Sequence, residues 1–151
     1  MGGRKFYWLE RLRDVLERER ALTAAASFVL DRLLHGQAEE FPTELQSGLS
    51  QAVRESESRE LVLLYIVFED AVREAYRSVR KRPGRPSMQV LLNRLAASQH
   101  LPTQVYAEAD RIRDLRNRIV HQAEQPELDL TIAKRALARF LGCLPDWTLE
   151  A

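Results

Sequence analysis

The stretch that decides the fold is residues 59–82, RELVLLYIVFEDAVREAYRSVRKR, which holds no Gly or Pro and stops at Pro83-Gly84-Arg85-Pro86. Val62, Tyr65, Glu69, Val72 and Tyr76 recur there at alternating spacings of three and four, which places them on one face of an α-helix. Within it, the run from Leu61 to Phe68 is apolar on every side of the helix and calls for burial all round. A small bundle leaves one side of that segment for a second chain or the long first helix to cover.

The flanking sequence reads the same way. From Arg4 to His35 there is no Gly or Pro, and Leu9, Leu12, Leu16 and then Ala26, Leu30, Leu33 are helically spaced before a stop at Gly36. Thr43 to about Arg54 carries Leu45, Leu49, Ala52 and Val53 on one face. Ser87 suits the cap of a short helix, Met88–Gln99, and Thr103 is expected to cap another reaching about Ala123. Asp129 opens the last, Leu130 to about Leu141, closed near Gly142 and Pro145. No window alternates apolar and polar residues at strand length, and no Asn-Gly or Asp-Gly hairpin signal occurs. The expected fold class is all-α: one domain over residues 1–151, a five- to six-helix up-and-down bundle.

Composition sets the outer limits. The 151 residues are 45% hydrophobic and 30% charged, enough apolar surface for a core without disulfide staples. With 23 basic and 22 acidic residues the net charge is +1, which excludes a wholly basic nucleic-acid coat but not a local basic patch. One cysteine, Cys143, excludes an internal disulfide and any multi-cysteine metal site, and fits a reducing, cytoplasmic setting. The longest apolar run, Leu61 to Phe68, is far short of the roughly 20 residues that cross a bilayer, so no membrane association is expected. Glu10 and Arg11 directly follow the short Phe6–Leu9 cluster, which is not the pattern of a secretory leader.

Two charges interrupt the apolar stripes. Glu69 stands on the core-facing stripe of the third helix. Arg116 stands in the middle of Val105, Ala109, Ile112, Arg116, Ile119 and Ala123, the stripe of the fifth. A charge buried alone between helices costs several kcal/mol, so each needs a partner or a route to water. One reading is a structural Glu69–Arg116 bridge; the other is that both line a polar cleft. Arg113, Asn117 and His121 form a polar stripe beside Arg116, and these are groups that hold phosphates and move protons near neutral pH. His35 and His100 lack such company and read as helix-terminus residues, where a cation suits the dipole.

Arg116-Asn117-Arg118-Ile119-Val120-His121 resembles the R-x4-6-H motif of the HEPN superfamily, including the polar residue directly after the arginine. The resemblance spans about Glu60 to Leu144: an apolar helix ending in Phe68-Glu69-Asp70-Ala71, a short helix after Pro86, the motif helix and a closing helix. It implies a helical bundle of HEPN type and a metal-independent endoribonuclease of a toxin, phage-defence or RNA-processing system, needing no cofactor. By the same resemblance His121 acts as general base or acid at the ribose 2′-hydroxyl and the scissile phosphodiester. Arg116 binds the phosphate, Asn117 orients it, Glu69 or Asp70 fixes the arginine, and Arg113, in the stripe beside Arg116, is a supporting residue. Expected partners are RNA, a second copy in a homodimer, and a neutralising antitoxin or nucleotidyltransferase. Some antitoxin-linked members carry a tyrosine two residues after the histidine; here that position is Ala123, so modification there is not expected. Other members are catalytically silent modules for dimerisation or RNA binding.

At about 100° per residue, Arg116 and His121 project about 140° apart on a straight helix, so one chain has difficulty aiming both at one phosphate. Two motif helices meeting across a dimer axis, as in the HEPN pattern, remove that difficulty.

Between Arg73 and Arg94 lie seven basic residues (Arg73, Arg77, Arg80, Lys81, Arg82, Arg85, Arg94) against one acid, Glu74. They either bind RNA backbone or complement the dipole of a helix end. Phe6, Tyr7 and Trp8 are expected to staple the first helix to the bundle, Trp147 to dock on it, and Cys143 to sit at the core edge.

Overall fold

The computed structural model describes residues 3–33, 35, 42–80, 84–122 and 129–148. They form six helices and no strand: α1 Arg4–Arg32, α2 Thr43–Arg54, α3 Ser56–Val79, α4 Met88–Ser98, α5 Thr103–Gln122 and α6 Leu130–Cys143. The architecture is the all-α bundle that the hydrophobic spacing predicts.

Helix α3 is the axis. Leu61, Leu64, Tyr65, Phe68, Ala71 and Val72 are buried along it, and the rings of Phe68 and Phe140 of α6 meet edge to face with centroids 5.7 Å apart. Leu12 and Leu16 of α1, Leu91, Leu92 and Leu95 of α4, and Val105, Ala109 and Ile112 of α5 complete one continuous apolar cluster. Burial of each large side chain contributes roughly 1.5–3 kcal/mol, so this cluster is the main stabilising term.

Two polar clamps set the alignment of α1 along α3. Near one end, the Glu74 carboxylate accepts from Arg4 (Nε and Nη2, both 2.8 Å), from the Trp8 indole (3.1 Å) and from the Trp147 indole (2.9 Å). Near the other, Thr23 donates to Glu60 at 2.9 Å and Arg59 to Glu19 at 3.2 Å. Arg4 opposite Glu74 and Thr23 opposite Glu60 make the two helices antiparallel. Arg4, hydrogen-bonded to it, is the main reason the Glu74 carboxyl is held down at about 2, far below the ordinary carboxylate range.

Several boundaries and placements differ from the sequence reading. Helix α3 begins at Ser56 and ends at Val79, rather than spanning 59–82: only Glu55 (φ −92°, ψ −1°) separates it from α2, and Arg80 turns extended (φ −131°, ψ 106°) ahead of the proline pair. Thr103 is the first residue of α5, and the Pro102 carbonyl, not a threonine side chain, receives the opening bonds from Val105 and Tyr106. The Ser87 and Asp129 caps are as expected, Asp129 accepting from Thr131 at 2.8 Å and Ser87 from Val90 at 3.4 Å. Helix α6 runs on through Gly142 to Cys143, which is exposed rather than at the core edge. Of the aromatic triplet only Trp8 packs on the core; Phe6 and Tyr7 face water because they point off the side of α1 that meets α3. Gly36 and Ala123 lie outside the described residues.

Helix α4 closes with His100 in the left-handed region (φ 52°), where Leu101 N–H reaches the Ala96 carbonyl at 2.9 Å. His100 is therefore a helix-terminus residue, in the position glycine most often fills.

Candidate functional site

Helices α3 and α5 pack together where their stripes turn polar. On α5 the stripe is buried as far as Ile112 and opens at Arg116 and Ile119, which are half-buried. On α3 it is buried at Tyr65 and half-open at Val62 and Glu69, and Ile66, beside the stripe, is exposed (44%). The surface between them gathers Tyr65, Glu69, Asp110, Arg113 and Arg116.

Tyr65 is the floor. It is 1% exposed, its hydroxyl has no hydrogen-bond partner among the described residues, and the Arg116 guanidinium carbon stands 5.7 Å from its ring centroid. That geometry is a cation–π contact. Burial, reinforced by the Glu69 carboxylate, pushes the phenol well above its ordinary value, so it stays protonated and neutral. Arg116 donates through Nη1 to the Asn117 side-chain oxygen at 3.1 Å, while its buried Nε is without a partner and no described carboxylate pairs with it. The arginine is thus held by a ring and an amide, with no ion-pair partner among the described residues. Arg113 is bound to Asp110 at 2.7 Å, a bond that raises the Arg113 guanidinium above its ordinary value.

The Glu69–Arg116 bridge is not formed. Glu69 accepts from Arg73, one turn along its own helix, at 2.8 Å and 3.0 Å, and Arg73 also donates to the Pro86 carbonyl at 3.0 Å. An i,i+4 partner on the same helix is nearer than one across the cleft, and both Glu69 and Arg116 are open enough to water not to need each other. Glu69 therefore does not fix the motif arginine, and Asp70 is exposed on the next face of α3, in a separate cleft. The residue that does position Arg116 is Tyr65, together with Asn117. Its signal was present in the sequence as a phenol on the same stripe as Glu69, one turn away. Glu74 was legible by the same rule, since Glu60, Leu64, Val67, Ala71 and Glu74 form a second stripe with an acid at each end.

His121 lies in the last turn of α5 and is exposed. The helix is continuous from Arg116 to Gln122, so the two motif residues project about 140° apart within one chain. Three clefts on the described surface, of about 230 to 520 Å³, are lined by other residues than these two. Among the described residues no three His, Cys, Asp or Glu side chains gather to hold a metal ion, and no helix is long and apolar enough to cross a membrane.

Of the basic stretch, Arg73, Arg77 and Arg85 line one cleft and Arg80 is exposed at the end of α3; Lys81 and Arg82 lie outside the described residues. No family model matches the chain, and neither curated proteins nor solved structures give a match to it.

Proposed function

We propose that the protein is a metal-independent endoribonuclease of HEPN type, working as a homodimer in a toxin, phage-defence or RNA-processing role. The observation that supports this most is Arg116 itself: a half-buried guanidinium seated on the Tyr65 ring, steadied by Asn117 and left without a carboxylate. An arginine prepared in this way favours an incoming phosphate, whose two oxygens match the planar fork. His121, five residues on, is free to act on protons. In the proposed reaction the 2′-oxygen attacks the adjacent phosphorus and its proton passes to one imidazole. The P–O5′ bond breaks, the 5′-oxygen takes a proton from the imidazolium of a second, and a cyclic phosphate end remains. Arg116 stabilises the charge that grows on the phosphate oxygens.

The dimer supplies what one chain lacks. Ile66, next to Tyr65 on α3, and Val120, within the motif on α5, are large apolar side chains 44% and 48% exposed, suited to contact with a second copy. Motif helices paired across a two-fold axis bring the arginine of one protomer towards the histidine of its partner. A neutralising antitoxin or nucleotidyltransferase partner belongs to this reading.

The exposure of His121, about 140° from Arg116, also favours a second reading: a catalytically silent HEPN-like module that dimerises or binds RNA. Incubating the purified protein with single-stranded RNA in excess chelator separates the two. Fragments with cyclic phosphate ends support the nuclease; intact RNA supports the silent module.

A further inference from the structure

A cleft of about 230 Å³ opens between the C-terminal half of α3, the turn at residues 84–87 and the first turns of α4. Among the described residues its walls carry three guanidinium groups, Arg73, Arg77 and Arg85, against one carboxylate, Asp70. The three arginines differ in state. Arg73 is spent on structure, tied to Glu69 and to the Pro86 carbonyl, and so fixes the turn against α3. Arg77 is exposed and bonded through Nε to the Arg73 carbonyl at 3.2 Å, which leaves its two terminal nitrogens without a partner among the described residues. Arg85 is exposed and has no carboxylate partner among the described residues. The hydroxyl of Tyr76, another lining residue, is already taken, accepting from Arg94 at 2.9 Å.

We propose that this cleft is a phosphate subsite for an RNA strand whose scissile bond lies at Arg116. The inference rests on the ribonuclease reading for the source of the phosphate, and on the cleft itself for the chemistry. Two uncompensated guanidiniums beside a fixed third favour an anion. Tyr76, the one aromatic side chain among the described lining residues, is buried, so the described lining offers no exposed ring for a base to stack on, and the cleft reads backbone rather than sequence. At 230 Å³ it suits a phosphate with its adjoining sugar better than a whole nucleotide, since sites for drug-sized ligands run from about 300 Å³. Tyr65 to Arg77 is about 18 Å along the α3 axis and about 120° round it, so a strand joining the two sites crosses the face that holds the Glu69–Arg73 pair. The subsite therefore holds a phosphate a few nucleotides from the cut.

The test uses the full chain carrying His121→Ala, so that RNA stays intact, and measures binding of a single-stranded oligoribonucleotide with either a 5′-phosphate or a 5′-hydroxyl. Arg77→Ala with Arg85→Ala is expected to weaken binding about tenfold and to lower the salt slope by about 1 to 2. The same two-charge change at Arg111 and Arg135, exposed on the α5–α6 face, is expected to leave binding within about twofold. Inorganic phosphate should shift the Arg77 and Arg85 Nε–H resonances of the parent chain. Preference for the 5′-phosphate assigns the cleft to a strand end, and equal binding assigns it to an internal phosphodiester. Equal losses in both double variants, or no loss in either, overturn the subsite. Wild-type protein that binds in this way but never cuts RNA would refute the nuclease and leave the subsite standing.

Discussion

Arg116 lies over the ring of Tyr65, guanidinium carbon 5.7 Å from the centroid, and each of the two side chains holds a buried polar atom without a described partner. The ring is the working part of that relationship, the hydroxyl a cost. Tyr65→Phe keeps the ring and should leave the melting temperature unchanged or slightly raised, with RNA cleavage intact. Tyr65→Ala should lose about 3–5 kcal/mol by urea denaturation, together with most of the cleavage. A Tyr65→Phe variant destabilised by about 2 kcal/mol or more would show that the hydroxyl is engaged.

Glu69 is expected to matter little. Its bond is an i,i+4 pair with Arg73, so Glu69→Gln should cost no more than about 0.5–1 kcal/mol and leave the cleavage rate within about twofold. A large, selective loss of activity in this variant would restore it as the partner of Arg116.

Glu74 gives the fold an acid-labile clamp. Its folded value, about 2, lies below the ordinary carboxylate range near 4.3. The stabilisation is therefore fully present above about pH 4.3 and is lost as pH falls towards 2. Both tryptophans of the chain donate to this carboxylate, so intrinsic fluorescence reads the clamp directly. Stability measured between pH 5 and pH 2 should fall, and Glu74→Gln should flatten that fall while lowering stability at pH 7 by about 1–3 kcal/mol. An unchanged acid limb in Glu74→Gln would contradict the assignment.

How much of this was legible in the sequence follows from where the information sits. Local spacing carries the helices: Thr43 to Arg54 and the Ser87 and Asp129 caps appear as read, whereas Leu61 to Phe68 is helical but not buried all round in the single chain, Ile66 being exposed and Val62 and Leu63 half-buried. The ends of α3 were less legible, because they depend on backbone torsions at Glu55 and Arg80 that neither residue type dictates. The stripes also marked the polar positions, but not their partners. Glu69 could reach Arg73 or Arg116, and only the packing of α3 on α5 decides between them. Glu74 bonds to residues 66 to 73 positions away, a pairing that periodicity within one helix does not carry. The R-x4-H spacing was visible at once, yet its 140° splay becomes a constraint only on an unbroken helix.

His100 offers a simple check of local strain. At φ 52° it occupies a conformation that costs an L-residue about 1 kcal/mol and glycine almost nothing. His100→Gly should raise stability by about 0.5–1 kcal/mol with no change in RNA cleavage. A loss of either would mean that the imidazole has a role beyond closing α4.

The dimer is tested at Ile66. Because it is 44% exposed in the single chain, Ile66→Glu should fold normally. In light scattering at micromolar concentration the wild type is expected at twice the chain mass and Ile66→Glu at the chain mass, with cleavage lost. A wild-type monomer at that concentration would contradict the proposed pairing of motif helices across a two-fold axis.

The most direct measurement is the rate of RNA cleavage in excess chelator by the wild type, Arg116→Ala and His121→Ala, with circular dichroism on the same samples. The account predicts cyclic phosphate products from the wild type, at least about a hundredfold loss in each variant, and unchanged helical content. Cleavage that survives both substitutions, or that appears only when magnesium is added, would contradict it.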